Sequence, residues 1–263
     1  MKKISTLLWA SLCAASFLTG CSGKDGDPGP AGPAGPAGPA GPSGQNLTGT
    51  LVGFVNPVDE YGNALVKNGV VVTLDGVTPA ATATTNADGR YEFTNVRNGT
   101  YNLSFSRTGL ATTRRLSVGH IGGDQPTVLG TNTITAPSTT VIRNVSGGVQ
   151  GSNIFVDFSF SNAGAPFGSF IRFAVFASAS PGTTATNGTL LTTSSSNSNG
   201  SFTSATISRN ILTSAGFASG TPIYVVVYGT PSFLSGYTDP SNGRIVYAGL
   251  SATPSNQVSF IVP

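Results

Sequence analysis

The chain has 263 residues, 38% of them apolar and only 9% charged, against roughly 25% charged in ordinary soluble domains. Thr, Ser, Asn and Gly fill the difference; they weaken helices and suit strands and turns, so a mainly helical protein is excluded and an all-β one expected. The formal charge of +3 has no basic run behind it beyond Arg114–Arg115, which excludes the concentrated positive field that nucleic-acid binding needs.

The first segment, MKKISTLLWASLCAASFLTGC, pairs a positive start with an apolar stretch and ends on small residues. This is the pattern of a secretory signal peptide, expected over residues 1–20, rather than of a membrane span. Its last four residues, Leu18-Thr19-Gly20-Cys21, resemble the lipobox of bacterial lipoproteins. That resemblance implies cleavage before Cys21 and attachment of lipid to its thiol, with two or three acyl chains giving durable anchoring where one gives only marginal binding. Lys2 and Lys3 would leave with the leader, taking the basic count from 13 to 11 against 10 acidic residues. Cys13 would leave too, so no internal disulfide is expected. Ser22 after the lipidated cysteine is permissive for export in such families, which implies the outer membrane of a bacterial cell envelope. The stretch SGKDGD carries a faint likeness to surface-export signals, pointing to surface display.

Glycine recurs at every third position from Gly23 to Gly44, mostly followed by proline, as in collagen. Two readings follow for residues 21–46: a trimeric stalk, or a single-chain polyproline-II spacer of roughly 60–70 Å. With only about seven triplets, the monomeric spacer is favoured over a homotrimer.

From Leu47 the composition changes. LTGTLVGFVN predicts a first strand, PVDEYGN a turn loop, and GVVVTLDG a second strand. In TNADGRYEFTNVRNGTYNLSFSRTG, two alternating aromatic runs flank Asn98-Gly99, so the simplest expectation is a hairpin with one aromatic face. This stretch resembles the carboxypeptidase regulatory-like domain, through Thr85, Asp88, Gly89, Tyr91, Phe93, Val96, Gly99, Tyr101 and Leu103. The resemblance implies a transthyretin-like, immunoglobulin-type β-sandwich over residues 47–135. It says little about function, since family members serve as accessory modules on peptidases, transport receptors and surface proteins, and the broader fold group includes starch-binding domains.

NTITAPSTTVIRN joins this half to residues 136–263, where NIFVDFSF, SFIRFAVFAS, GTPIYVVVYG, GRIVYAGL and QVSFIVP predict at least five strands and a second β-sandwich. GTPIYVVVYG is continuously apolar, as a strand covered on both sides should be. SRNILTSAGF can supply one helical turn, and the polar tract LTTSSSNSNGS is expected to be a flexible loop.

The chain offers little for catalysis. His120 is the sole histidine and sits in VGHIGGD, where a solvated loop residue is expected. Neither a multi-histidine metal site nor a G-x-S-x-G nucleophile turn can be built. Glu92 and Asp157 are carboxylates with no pattern that pairs them, Glu92 defaulting to the solvent face of its strand; Asp25 and Asp27 are solvated charges in the spacer. Asp59, Glu60 and Asn63 lack the ordered ligand series of a calcium loop. A non-enzyme without a cofactor is therefore expected. Two functions compete: adhesion or structural interaction with a protein at the cell surface, and glycan binding. For the second, TPSFLSGYTDPSNG carries Phe233, Leu234 and Tyr237 among turn residues, and Phe233 and Tyr237 are the candidate ligand contacts at one end of the distal sandwich. The competing reading has those side chains plugging the end of their own core.

Overall fold

The structure, a computed structural model, describes residues 46–263. The signal peptide, Cys21 and the glycine-repeat spacer lie outside the described residues.

Seven strands build the first half: β1 (Thr48–Val58), β2 (Val71–Asp75), β3 (Ala81–Thr84), β4 (Arg90–Arg97), β5 (Gly99–Ser106), β6 (Thr113–His120) and β7 (Gly123–Thr135). One sheet runs β4-β1-β7, with β1 antiparallel to β4 and parallel to β7. The other runs β3-β2-β5-β6, all antiparallel. Inward residues such as Leu51, Val55, Val72, Leu74, Tyr91, Phe93, Leu103 and Phe105 form a single core between the sheets. This is a β-sandwich, as the sequence predicts.

One expectation is corrected. The two aromatic runs do not form a hairpin: β4 pairs with β1 and β5 with β2 and β6, so they stand in opposite sheets. The chain crosses between the sheets at Asn98, between Arg97, still paired with Thr48 of β1, and Gly99, paired with His120 of β6. Tyr91 consequently meets Phe105 edge-to-face across the core, ring centres 5.8 Å apart, while Phe93 lies 6.0 Å from Tyr91 along its own strand. Strand alternation buries one face in either arrangement, and here the two aromatic faces bury each other.

The residues that carry the family resemblance serve as turn and core. The Thr85 hydroxyl accepts from the Val70 amide at 3.0 Å and donates to the Lys67 carbonyl at 2.6 Å. The following turn is closed by Asn86, whose Oδ1 accepts from the amides of Asp88 and Arg90. Glu92 lies exposed beside Arg90, on the solvent face as expected.

His120 is a second correction. Its side chain is 2% exposed rather than solvated, because β6 continues to this residue and alternation turns Val118 and His120 inward. Nε2 lies 3.1 Å from the Val96 carbonyl and Nδ1 2.8 Å from the Thr127 hydroxyl. Since the carbonyl can only accept, Nε2 carries a hydrogen. The ring ties β4, β6 and β7 together at the end of the sandwich.

The second half contains β8 (Val141–Gln150), β9 (Asn153–Ser161), β10 (Phe170–Ser178), β11 (Thr189–Asn197), β12 (Phe202–Ser208), helix α1 (Arg209–Ser214), β13 (Pro222–Thr230), β14 (Ser235–Thr238), β15 (Ile245–Ala248) and β16 (Val258–Ile261). Sheets β11-β10-β13-β16 and β12-β9-β8 enclose a phenylalanine-rich core, which α1 plugs with the buried Leu212. β13 is covered on both faces as predicted. Ile223, Val225 and Val227 enter the main core, while Val226 and Tyr228 join Ala174 and Phe176 in a smaller outer core roofed by Leu234, Tyr247 and Leu250.

The polar tract is a third correction. Its residues 191–197 lie in edge strand β11 (Thr189–Asn197), paired along β10, and only 198–201 remain a turn. Thr192, Ser194 and Ser196 stand opposite Val175, Phe173 and Ile171 and are partly buried, so small hydroxyl residues finish the inner face at this edge. Ladder bonding to a strong central strand outweighs the turn bias of serine and asparagine.

Burial also shapes the tyrosine titration. Tyr91 is lifted from the ordinary value near 10 to about 12 because its hydroxyl is buried, and it has no hydrogen-bond partner among the described residues. Tyr61 is lifted to about 12 by burial first and by the adjacent Glu60 carboxylate second. Above pH 10 the unfolded chain loses these protons while the folded chain keeps them, so stability should fall as pH rises from about 10 to 12. Tyrosinate absorbance should show three of the 7 tyrosines lagging behind the rest: Tyr61, Tyr91 and Tyr247, which burial also raises. All rings ionising together near pH 10 would contradict the packing.

Candidate functional site

The loop after β1 builds the junction between the sandwiches. Asp59 folds it: Oδ1 accepts from the amides of Tyr61 at 2.9 Å and Asn63 at 2.8 Å, and Oδ2 from the Asn63 side chain at 2.9 Å. Gly62, at φ 95°, completes the reversal. Glu60 and Tyr61 are thereby presented to the second sandwich.

There the Glu60 carboxylate accepts from the Thr139 amide at 2.8 Å, the Thr139 hydroxyl at 2.5 Å and the Asn162 amide at 3.2 Å. Its carbonyl accepts from the amide and hydroxyl of Ser232 at 2.8 and 3.1 Å. Tyr61 donates to Asn162 Oδ1 at 2.8 Å and packs against the second core. The carboxylates of Asp59 and Glu60 thus serve different partners, one within the loop and one across the junction. Among the described residues no three His, Cys, Asp or Glu side chains cluster as metal ligands.

This loop is a clamp. Glu60→Ala should strip the Thr139 amide of its acceptor, leave the Thr139 hydroxyl and the Asn162 amide only their bonds to Asn162 and Thr140, and weaken the junction by about 1–3 kcal/mol. In differential scanning calorimetry the two sandwiches should then melt separately rather than together. A thermogram identical to the parent's would mean that Glu60 does not couple them.

Beside the clamp lies a cleft of about 380 Å³, lined by Tyr61, Asn63 and Ser232 on one side and by Phe167, Phe170 and Arg172 on the other. Phe167 is 91% exposed and Phe170 60%. Of the candidate ligand residues, Phe233 is 54% exposed and its ring lies against Gly62 of the clamp loop, next to Ser232 at the cleft. Leu234 instead roofs the outer core. Tyr237 sits half-buried on β14, paired with Val246, and does not line the cleft. The segment 231–234 therefore belongs to the junction, since Ser232 is bonded to Glu60 of the first sandwich. Sequence reasoning missed Phe167, Phe170 and Arg172. The one available signal was GAPFGSF, two phenylalanines set among turn-forming residues.

Residues 50–145, from β1 into β8, match the carboxypeptidase regulatory-like domain. The matched positions described above are turn formers and core residues. No curated protein matches the chain. Among solved structures, a candidate carbohydrate binding protein from Bacteroides uniformis is 14% identical, over 82% of this chain and 99% of that one, with a TM-score of 0.28. A DUF3823 family protein from Bacteroides ovatus is 13% identical over 81% and 100%, with a TM-score of 0.30. A chain of a type II cohesin–X-dockerin complex from Acetivibrio cellulolyticus is 22% identical over 34% of this chain, with a TM-score of 0.28; the match spans 58% of that chain's length.

Proposed function

We propose that this is a non-catalytic, lipid-anchored protein of a bacterial envelope, which displays two joined β-sandwiches for adhesion or structural interaction. The single observation that carries the reading is the order of parts along the chain: Cys21 in a lipobox-like setting, a glycine-repeat spacer, then sandwiches whose junction is clamped by Glu60 and Tyr61. A tether and stand-off arm suit a head that must meet a partner as one rigid body. The test compares intact cells carrying the parent protein with cells carrying Cys21→Ala, each shaved with protease. The parent protein should be cell-bound and cleaved; the variant should leave the cells in soluble form. A variant that stays on the membrane, or a native protein whose mass spectrum shows an unmodified Cys21, would end the proposal.

A second reading, a carbohydrate-binding accessory lipoprotein using a sandwich face or the Phe233–Tyr237 loop, is favoured by one observation. Phe233 is exposed next to a cleft with hydrogen-bonding side chains. Binding of the full-length protein to a polysaccharide panel, and its loss in Phe233→Ala or Tyr237→Ala, tests it.

A further inference from the structure

We infer that the junction cleft is a glycan site and that its ligand carries a carboxylate, as a uronic acid does; this rests on the carbohydrate-binding reading and names its site and ligand class. The exposed rings are the first ground. Phe158, Phe160, Phe173 and Phe176 of the same half are buried, and Phe202 and Phe233 are exposed outside the cleft lining. Phe167 and Phe170 do not hide, and both line one cleft. Large apolar side chains left in water beside polar groups mark a binding surface. The face of an aromatic ring carries negative quadrupole density, which suits the partly positive C–H face of a pyranose ring.

The hydrogen-bonding inventory selects the class of sugar. Tyr61 has donated its hydroxyl to Asn162 and Ser232 its hydroxyl to Glu60, while the Asn63 amide group is held by Asp59. The Ser169 hydroxyl donates to the Pro166 carbonyl. What remains for a ligand is the Asn63 carbonyl oxygen and second amide hydrogen, hydroxyl lone pairs and the whole guanidinium of Arg172. Arg172 points outward from β10, between the inward Ile171 and Phe173, and has no hydrogen bond or ion pair among the described residues. The nearest acids of the clamp loop, Asp59 and Glu60, are committed to Asn63 and to Thr139 and Asn162. A planar fork of donors without an acid matches a carboxylate bidentately. The interior of the cleft is mainly polar, which places Phe167 and Phe170 at its rim and disfavours an apolar peptide. Its size falls in the roughly 300–1,000 Å³ range of small-molecule sites. The clamp holds the Tyr61 and Ser232 side, and Ser198 bonds to Pro166 and Ser169 on the other.

The test uses the full-length protein with polygalacturonate and alginate oligosaccharides as probes and maltooligosaccharides as the neutral comparison, read by isothermal titration calorimetry. A polyuronate should bind, and the neutral sugars more weakly. Arg172→Gln and the double variant Phe167→Ala/Phe170→Ala should each weaken that binding by about tenfold or more, with the melting temperature unchanged because these side chains are exposed. Tyr237→Ala should leave it unchanged. Failure of both polyuronates to bind, or binding indifferent to the cleft variants, overturns the inference. In that event, glycan binding lost in Tyr237→Ala leaves the carbohydrate-binding reading standing, and no glycan binding of any kind removes that reading too.

Discussion

Phe173→Ala should cost the second sandwich about 3–5 kcal/mol, the range of a large aromatic truncated in a packed core. Phe173 is fully buried on β10, and its ring centre lies 4.9 Å from those of Phe158 and Phe160 on β9. β9 and β10 stand in opposite sheets, so the three rings are the fastening between the layers. Alanine would leave a hole bounded by two phenylalanines whose neighbours prevent collapse. Urea denaturation followed by fluorescence gives the difference directly. Phe170→Ala, three residues earlier on the same strand but exposed, should change stability by no more than about 0.5 kcal/mol. Equal effects of the two substitutions would mean that the core has been misplaced.

Gly89→Ala should be the most damaging change of a single methyl group in the first sandwich, at about 3 kcal/mol or more. Gly89 has a φ of 78°, where a side chain is strained, and an added Cβ would lie 2.3 Å from the Val55 carbonyl oxygen. That oxygen belongs to backbone and cannot rotate away. The same residue accepts a 2.8 Å hydrogen bond from the Val55 amide, so relieving the clash would pull β1 from the turn. Gly69 provides the comparison: its φ is 81°, yet nothing lies within 4 Å of an added Cβ. Gly69→Ala should therefore show only the conformational cost, about 1 kcal/mol. A ratio near one in their urea midpoints would remove the close approach of β1 from the account.

The junction turns these local facts into a single head. The loop that extends β1 looks long for a turn between two strands, and its length is used: Asp59 folds it, Glu60 and Tyr61 cross to the second sandwich, and Ser232 answers from the far side. The same loop forms one wall of the cleft, so a ligand there would touch both sandwiches.

The amino-acid sequence by itself determined the fold class and the position of most strands, because period-two alternation in NIFVDFSF or YNLSFS has one buried face whatever it packs against. It also determined that β13 is covered twice, since PIYVVVYG has no polar face to give to water. Only the tertiary structure decided that β4 and β5 lie in opposite sheets, because a hairpin and a sheet crossing share the same alternation and differ only in distant partners. His120, the serine-rich β11 and the Glu60 clamp were hidden for the same reason. Val96 encloses the histidine from 24 residues away, β10 supplies the ladder that holds β11, and Thr139 meets Glu60 across 79 residues. Local pattern records which side chains prefer burial; which groups satisfy one another is a property of the folded chain.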